Sequence, residues 1–114
     1  VQMGLVTSSD NATVERAFKL HHLENIFDTV VTADRITKGK PDPMCYLLAA
    51  DDLGVSPADC LVFEDSFAGI QAGTAAGMRV IGLSTTNPEE SLKDKVYEVI
   101  PNFEKVTFED YLKW

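Results

Sequence analysis

The sequence predicts an α/β domain built as a parallel sheet with flanking helices. Short apolar runs, QMGLVTSS (2–9), FDTVVTAD (27–34), SPADCLVFEDS (56–66) and RVIGLST (79–85), recur along the chain. Helical patterns of about 10–15 residues separate them, the spacing of right-handed strand–helix–strand units. Turn and cap residues stand at the joins. In such open sheets a ligand crevice lies beyond the carboxyl ends of the strands.

Each element has a local reason. The first run ends in the hydroxyls Thr7, Ser8 and Ser9, and Asp10 or Asn11 can cap the helix TVERAFKLHHL, whose apolar face is Val14, Phe18 and the Leu20/Leu23 region. After the second run comes a polar loop, RITKGKPDP. It leads into PMCYLLAADDLG, a helix with Pro43 near its first turn and Gly54 just past its end. The third run ends in Glu64 and Asp65 and passes into the helix FAGIQAGTAAG, in which Gly69, Ala72, Gly73 and Ala76 allow close packing on the sheet. Beyond the fourth strand lie a helical SLKDK, a short YEVIPNF strand and a last helix, TFEDYLKW, capped by Thr107 and docked through Phe108, Tyr111 and Trp114.

Bulk properties narrow the function. At 114 residues, 45% hydrophobic and 25% charged, the chain fits one globular domain, residues 1–114. A net charge of −8 with scattered basic residues argues against nucleic acid and anionic membrane surfaces as partners. No apolar run approaches the ~20 residues of a membrane span. Cys45 and Cys60 sit in apolar contexts, which reads as two buried free thiols in a reducing compartment, the cytoplasm. His21 and His22, adjacent on a helix, point apart and do not chelate one ion.

Three strand ends carry groups that can do chemistry. Thr7, Ser8, Ser9 and Asn11 at a helix start suit an anion, or simply cap the helix. Lys40, stiffened between Gly39 and Pro41, can serve as a point charge for a phosphate, or stand as a solvated loop lysine. Adjacent Glu64 and Asp65 repel each other unless a cation or added hydrogen bonds compensate, and hard oxygen ligands of this kind suit Mg²⁺. The alternative is an Asp capping the next helix with Glu64 exposed.

Taken in order, LVTSS, GKPDP and FEDSFAGIQAG, followed by AAGMRVIGL, resemble the second, third and fourth motifs of the haloacid dehalogenase (HAD) superfamily, in its β-phosphoglucomutase/phosphoglycolate phosphatase-like branch. The likeness runs from about Met3 through Gly82. It implies a Rossmann-like core and Mg²⁺-dependent phosphoryl transfer, as a phosphatase or phosphomutase, on a small phosphorylated metabolite. By that likeness Thr7 bonds the transferring phosphoryl group, Lys40 neutralises its charge, and Asp65 with Glu64 holds Mg²⁺. Ser8, Ser9 and Asn11 fall where relatives touch phosphate or substrate.

The family's first motif, DxDx(T/V), which supplies the aspartate that becomes an aspartyl-phosphate, has no counterpart here. Asp10, Asp34 and Asp51–Asp52 are the other candidates, and none ends an apolar strand upstream of Thr7. The substrate-selecting cap is missing as well. The opening VQMGLV reads as a piece of a longer chain. The central first strand is then expected to be absent, leaving a slot of about 10 Å between the Thr7 and Asp65 strands, to be filled by the missing N-terminal half. Two other readings carry weight: a non-catalytic truncated relative, and a phospho-accepting receiver-like signalling module. A receiver's acidic pair comes first in the chain and its lysine last, whereas here Thr7 precedes Lys40, which precedes Glu64–Asp65.

Overall fold

A computed structural model describes residues 1–114. The elements run β1 (Gly4–Val6), α1 (Asn11–His21), β2 (Thr29–Val31), α2 (Met44–Leu53), β3 (Leu61–Glu64), α3 (Phe67–Ala75), β4 (Arg79–Leu83), α4 (Glu89–Leu92), β5 (Glu98–Ile100) and α5 (Phe108–Lys113). Single 3₁₀ turns at Ala33–Arg35 and Pro57–Asp59 complete the order. The α/β class and the strand–helix alternation are as expected.

The strands form two parallel sheets rather than one, β1–β2 and β3–β4–β5. Gly4, Leu5 and Val6 pair with Thr29, Val30 and Val31, and Leu61–Glu64 pair in register with Arg79–Gly82. No ladder joins β1 to β3, so the Thr7 and Asp65 strands are not neighbours. The Thr7 N–H donates to the Val31 carbonyl at 2.9 Å. Because backbone groups alternate sides along a strand, the Val6 carbonyl faces the opposite, unpaired edge.

Strand and helix limits are tighter than the apolar runs. FDTVVTAD holds only three strand residues before the chain turns at Ala33. The helical turn expected at SLKDK begins two residues earlier and spans Glu89–Leu92, with Pro88 at its start. Asp10, not Asn11, caps α1, its carboxylate accepting from the Thr13 N–H at 2.8 Å. Gly54 closes α2 in the left-handed region, φ 66°. Thr107 and Asp110 form a reciprocal capping box on α5.

One apolar core joins the two sheets. Cys45, Tyr46, Ala49 and Ala50 of α2 pack between Val31 of β2 and Val62, Ile70, Ala72 and Val80 of β3, α3 and β4. A Cβ on Gly73 would stand 2.8 Å from a Val80 methyl, so the expected close approach of α3 to the sheet is real. Other expected core positions are not core. Leu20 is 73% exposed because α1 buries only Val14, while Phe18 stacks on Phe27. Cys60 is only half-buried, although Cys45 is fully buried and both thiols are free. Trp114 docks α5 by meeting the Phe63 ring edge-on, but Phe108 stays exposed and stacks on Tyr111 of its own helix.

Candidate functional site at the strand ends

The carboxyl ends of β1 and β3 are bridged by one side chain. Lys40, on the loop before α2, donates from Nζ to Glu64 Oε1 at 2.7 Å and to the Val6 carbonyl at 3.4 Å. Its ammonium therefore ties the last residue of β1 to the last residue of β3, the positions just before Thr7 and Asp65. The loop that carries it leaves β2 and enters α2 through Pro43, which starts the helix. Lys38, two residues earlier, is exposed.

Glu64 is the buried member of the acidic pair, with 8% exposure. Its Oε1 accepts from Lys40 and also from the Tyr46 hydroxyl at 2.8 Å, and its Oε2 accepts from the Ser66 hydroxyl at 3.1 Å. Three donors and one full positive charge compensate the buried carboxylate. Space for it comes from Gly69, where a Cβ would fall 1.5 Å from Oε2. The small residue at that helix position thus makes room for a charge, beyond any role in sheet packing.

Asp65, beside it, is half-buried and does not cap the following helix. Ser66 does, accepting from the Gly69 N–H at 3.0 Å. The loop after β4 holds Asp65 in place. Thr86 donates its hydroxyl to Oδ2 at 2.6 Å, and the Asn87 amide donates to the Asp65 carbonyl at 3.2 Å. One carboxylate oxygen is fixed in this way, which orients the other, Oδ1.

On the β1 side, the Thr7 hydroxyl oxygen accepts from the Ser9 N–H at 3.1 Å, folding the strand end into a tight turn. Ser9 is half-buried there, and Ser8 is exposed. Asn11 is committed elsewhere in part. Its side-chain oxygen accepts from the buried Thr32 hydroxyl at the end of β2, and its N–H donates to Asp34 at 2.9 Å. The structure brings Thr7, Lys40, Glu64 and Asp65 to one end of the two sheets, with Asn11 turned toward β2.

Tyr46, Thr86, Asn87 and the niche at Gly69 were not expected from the sequence. A tyrosine three residues past Pro43 and a TTN run just after a strand end are signals that fold knowledge alone turns into positions. Burial, reinforced by the charge of Glu64, pushes the Tyr46 hydroxyl far above its ordinary pKa, so it stays a proton donor. Burial also raises the Cys45 thiol and keeps it neutral.

No group of three or more His, Cys, Asp or Glu side chains is gathered anywhere in the structure. A cavity of about 610 Å³ opens at the other pole, among Cys60, Leu61, Met78, Arg79, Leu112 and Trp114 at the starts of β3 and β4. No helix is long and apolar enough to cross a membrane.

Comparison with known proteins identifies the family. Residues 1–83 match the haloacid dehalogenase-like hydrolase family. The chain is 36% identical over its whole length to the bifunctional riboflavin kinase/FMN phosphatase of Arabidopsis thaliana, covering 30% of that protein. It is 40% identical over 77% of its length to the β-phosphoglucomutase of Bacillus subtilis, covering 38% of it. The crystal structure of a Clostridium difficile β-phosphoglucomutase superposes on 99% of the chain with a TM-score of 0.84 at 30% identity. The chain covers 48% of that structure and so spans half or less of the length of each of these relatives. The chain belongs to the haloacid dehalogenase-like hydrolase family.

Proposed function

We propose that the protein carrying this chain transfers phosphoryl groups from a small phosphorylated metabolite, as a phosphatase or phosphomutase, with Mg²⁺ as cofactor. One observation carries the reading: the Lys40 ammonium bridges the ends of β1 and β3, bonding the Val6 carbonyl just before Thr7 and the Glu64 carboxylate just before Asp65. Phosphoryl transfer needs chiefly positioning and stabilisation of oxygen-borne charge, which a hydroxyl, an ammonium and a cation supply together.

Each residue has a role in this reading. Thr7 donates to a phosphoryl oxygen, with Ser8, Ser9 and Asn11 at the rim. Two of the three Lys40 N–H groups are engaged, and the third reaches the anion. The donor set fits Mg²⁺, which binds through one or two carboxylates and fills its octahedron with phosphate oxygens and water. Asp65 Oδ1 is the ligand these residues offer best, because Glu64 is already occupied by Lys40, Tyr46 and Ser66. The cation, when bound, neutralises charge on the transferring group.

The nucleophile of this reading is an aspartate on a strand supplied by the remainder of the fold and lodged between β1 and β3, on which an aspartyl-phosphate forms. The unpaired edge of β1 at Val6 supports it, and so does the greater length of the relatives. A cap in the same remainder selects the substrate. The free thiols suit a reducing compartment such as the cytoplasm.

The test is hydrolysis of p-nitrophenyl phosphate with Mg²⁺ by the full-length protein and by the 114 residues alone. We expect turnover from the former only. Lys40→Ala abolishes it in a protein that still folds but is less stable, and Asp65→Asn weakens its Mg²⁺ dependence. Wild-type turnover in Lys40→Ala, or robust turnover by the 114 residues, contradicts the reading. An inert full-length protein favours the non-catalytic alternative.

A further inference from the structure

We propose that Tyr46 is a positioning residue that sets where the Lys40 ammonium stands and how strongly Glu64 holds it. Tyr46 touches both members of the pair. Its hydroxyl donates to Glu64 Oε1 at 2.8 Å, the same oxygen that accepts from Lys40 at 2.7 Å, and its ring centroid lies 5.2 Å from Lys40 Nζ. Nothing in the packing of α2 alone requires a hydroxyl here. Phenylalanine fills the same volume, and the other core residues of the helix, Cys45, Ala49 and Ala50, are apolar.

The hydroxyl matters because Oε1 is shared. A buried carboxylate oxygen with two donors divides its negative charge between them. Remove the neutral donor and the whole of it faces Lys40, in a low-dielectric setting where the attraction is strong. The ammonium is then drawn toward Glu64 and away from any anion at the ends of β1 and β3. The ring adds a second restraint, because a cation near an aromatic face is attracted to it. Glu64 is itself confined by Ser66 on Oε2 and by the niche above Gly69, so it cannot follow a displaced lysine.

The consequence for phosphate rests on the phosphoryl-transfer reading, whereas the consequence for Lys40 does not. The test therefore uses two readouts on the full-length protein, wild type and Tyr46→Phe. The first is the Lys40 side-chain ¹⁵Nζ resonance without phosphate. We expect a discrete, slowly exchanging signal in the wild type that shifts or broadens in Tyr46→Phe. The second is the Kd for inorganic phosphate by calorimetry, expected to rise about five- to tenfold, the loss of one buried hydrogen bond. An unchanged Lys40 signal in folded Tyr46→Phe overturns the inference. A shifted signal with no phosphate bound by either protein supports Tyr46 as positioner and refutes the phosphoryl reading. Should Tyr46→Phe not fold, the wild-type hydroxyl proton decides. Slow exchange with a contact to Lys40 supports the inference, and exchange at solvent rates overturns it.

Discussion

The two sheets differ in what holds them. β3–β4–β5 lies on a packed layer in which Ile81 and Leu92 are fully buried and Gly73 lets α3 approach within van der Waals contact. β1–β2 has Val31 at its heart but little else, and its helix α1 buries a single residue. The thin sheet carries the hydroxyl residues and the thick one carries the acids. They are joined by α2, through its apolar face and the Tyr46 hydroxyl on Glu64, and by Lys40 across the strand ends. The lesson is that a lysine assigned to chemistry also ties the architecture together, so its partner Glu64 serves both.

The comparison can be broken in graded steps. Glu64→Ala strips a buried ion pair of one partner and should cost about 3–5 kcal/mol, read as a lower urea midpoint. A loss under ~1 kcal/mol shows that Lys40 escapes to solvent and ties nothing. Ile81→Ala, in the thick sheet, should cost about 2–5 kcal/mol by transfer and cavity terms. If thermal unfolding of that variant begins at the same temperature as wild type, the core is not where the packing places it.

A smaller effect belongs to the clasp beneath β2. Arg35 bonds Asp52 at 2.7 Å and Thr29 donates to the same carboxylate at 2.6 Å. The Arg35 hydrogen bond, then that of Thr29, lowers the Asp52 pKa. A lowered folded pKa means the stabilisation is present above the unfolded value, about 3.9, and is lost as pH falls through the lower folded one. Asp52→Asn should therefore flatten the acid limb of the stability profile while leaving the neutral-pH fold in place. An acid limb as steep as wild type removes the clasp from the account. Smallest of all, Leu20→Ser on the exposed side of α1 should change stability by less than about 0.5 kcal/mol. A large loss there means that α1 is packed more deeply than the structure has it.

Much of this was legible in the sequence, for identifiable reasons. Alternation of apolar runs with cap residues located the major helices, because Asp10, Gly54 and Thr107 stand where backbone groups need partners, whereas the Ser66 cap of α3 was not read. The separation of β1 from β3 followed from the resemblance, since nothing in local pattern says which strands pair. Leu20 and Phe108 were misjudged because helical periodicity marks a face without saying whether anything covers it. Within the site, the acidic pair was visible but its division of labour was not. Which carboxylate is buried depends on the Gly69 niche and on Tyr46, donors and space brought from other elements. Thr86 and Asn87 were missed for the same reason, since they reach Asp65 across a turn of the chain.

The most direct test of the central claim is the anomalous map of the full-length protein crystallised with tungstate, a tetrahedral stand-in for phosphate. The account predicts a tungsten peak at the carboxyl ends of β1 and β3, in contact with the Lys40 ammonium and the Thr7 hydroxyl. A peak bound only at Arg79, at the opposite pole, with the Lys40 end bare, would contradict it.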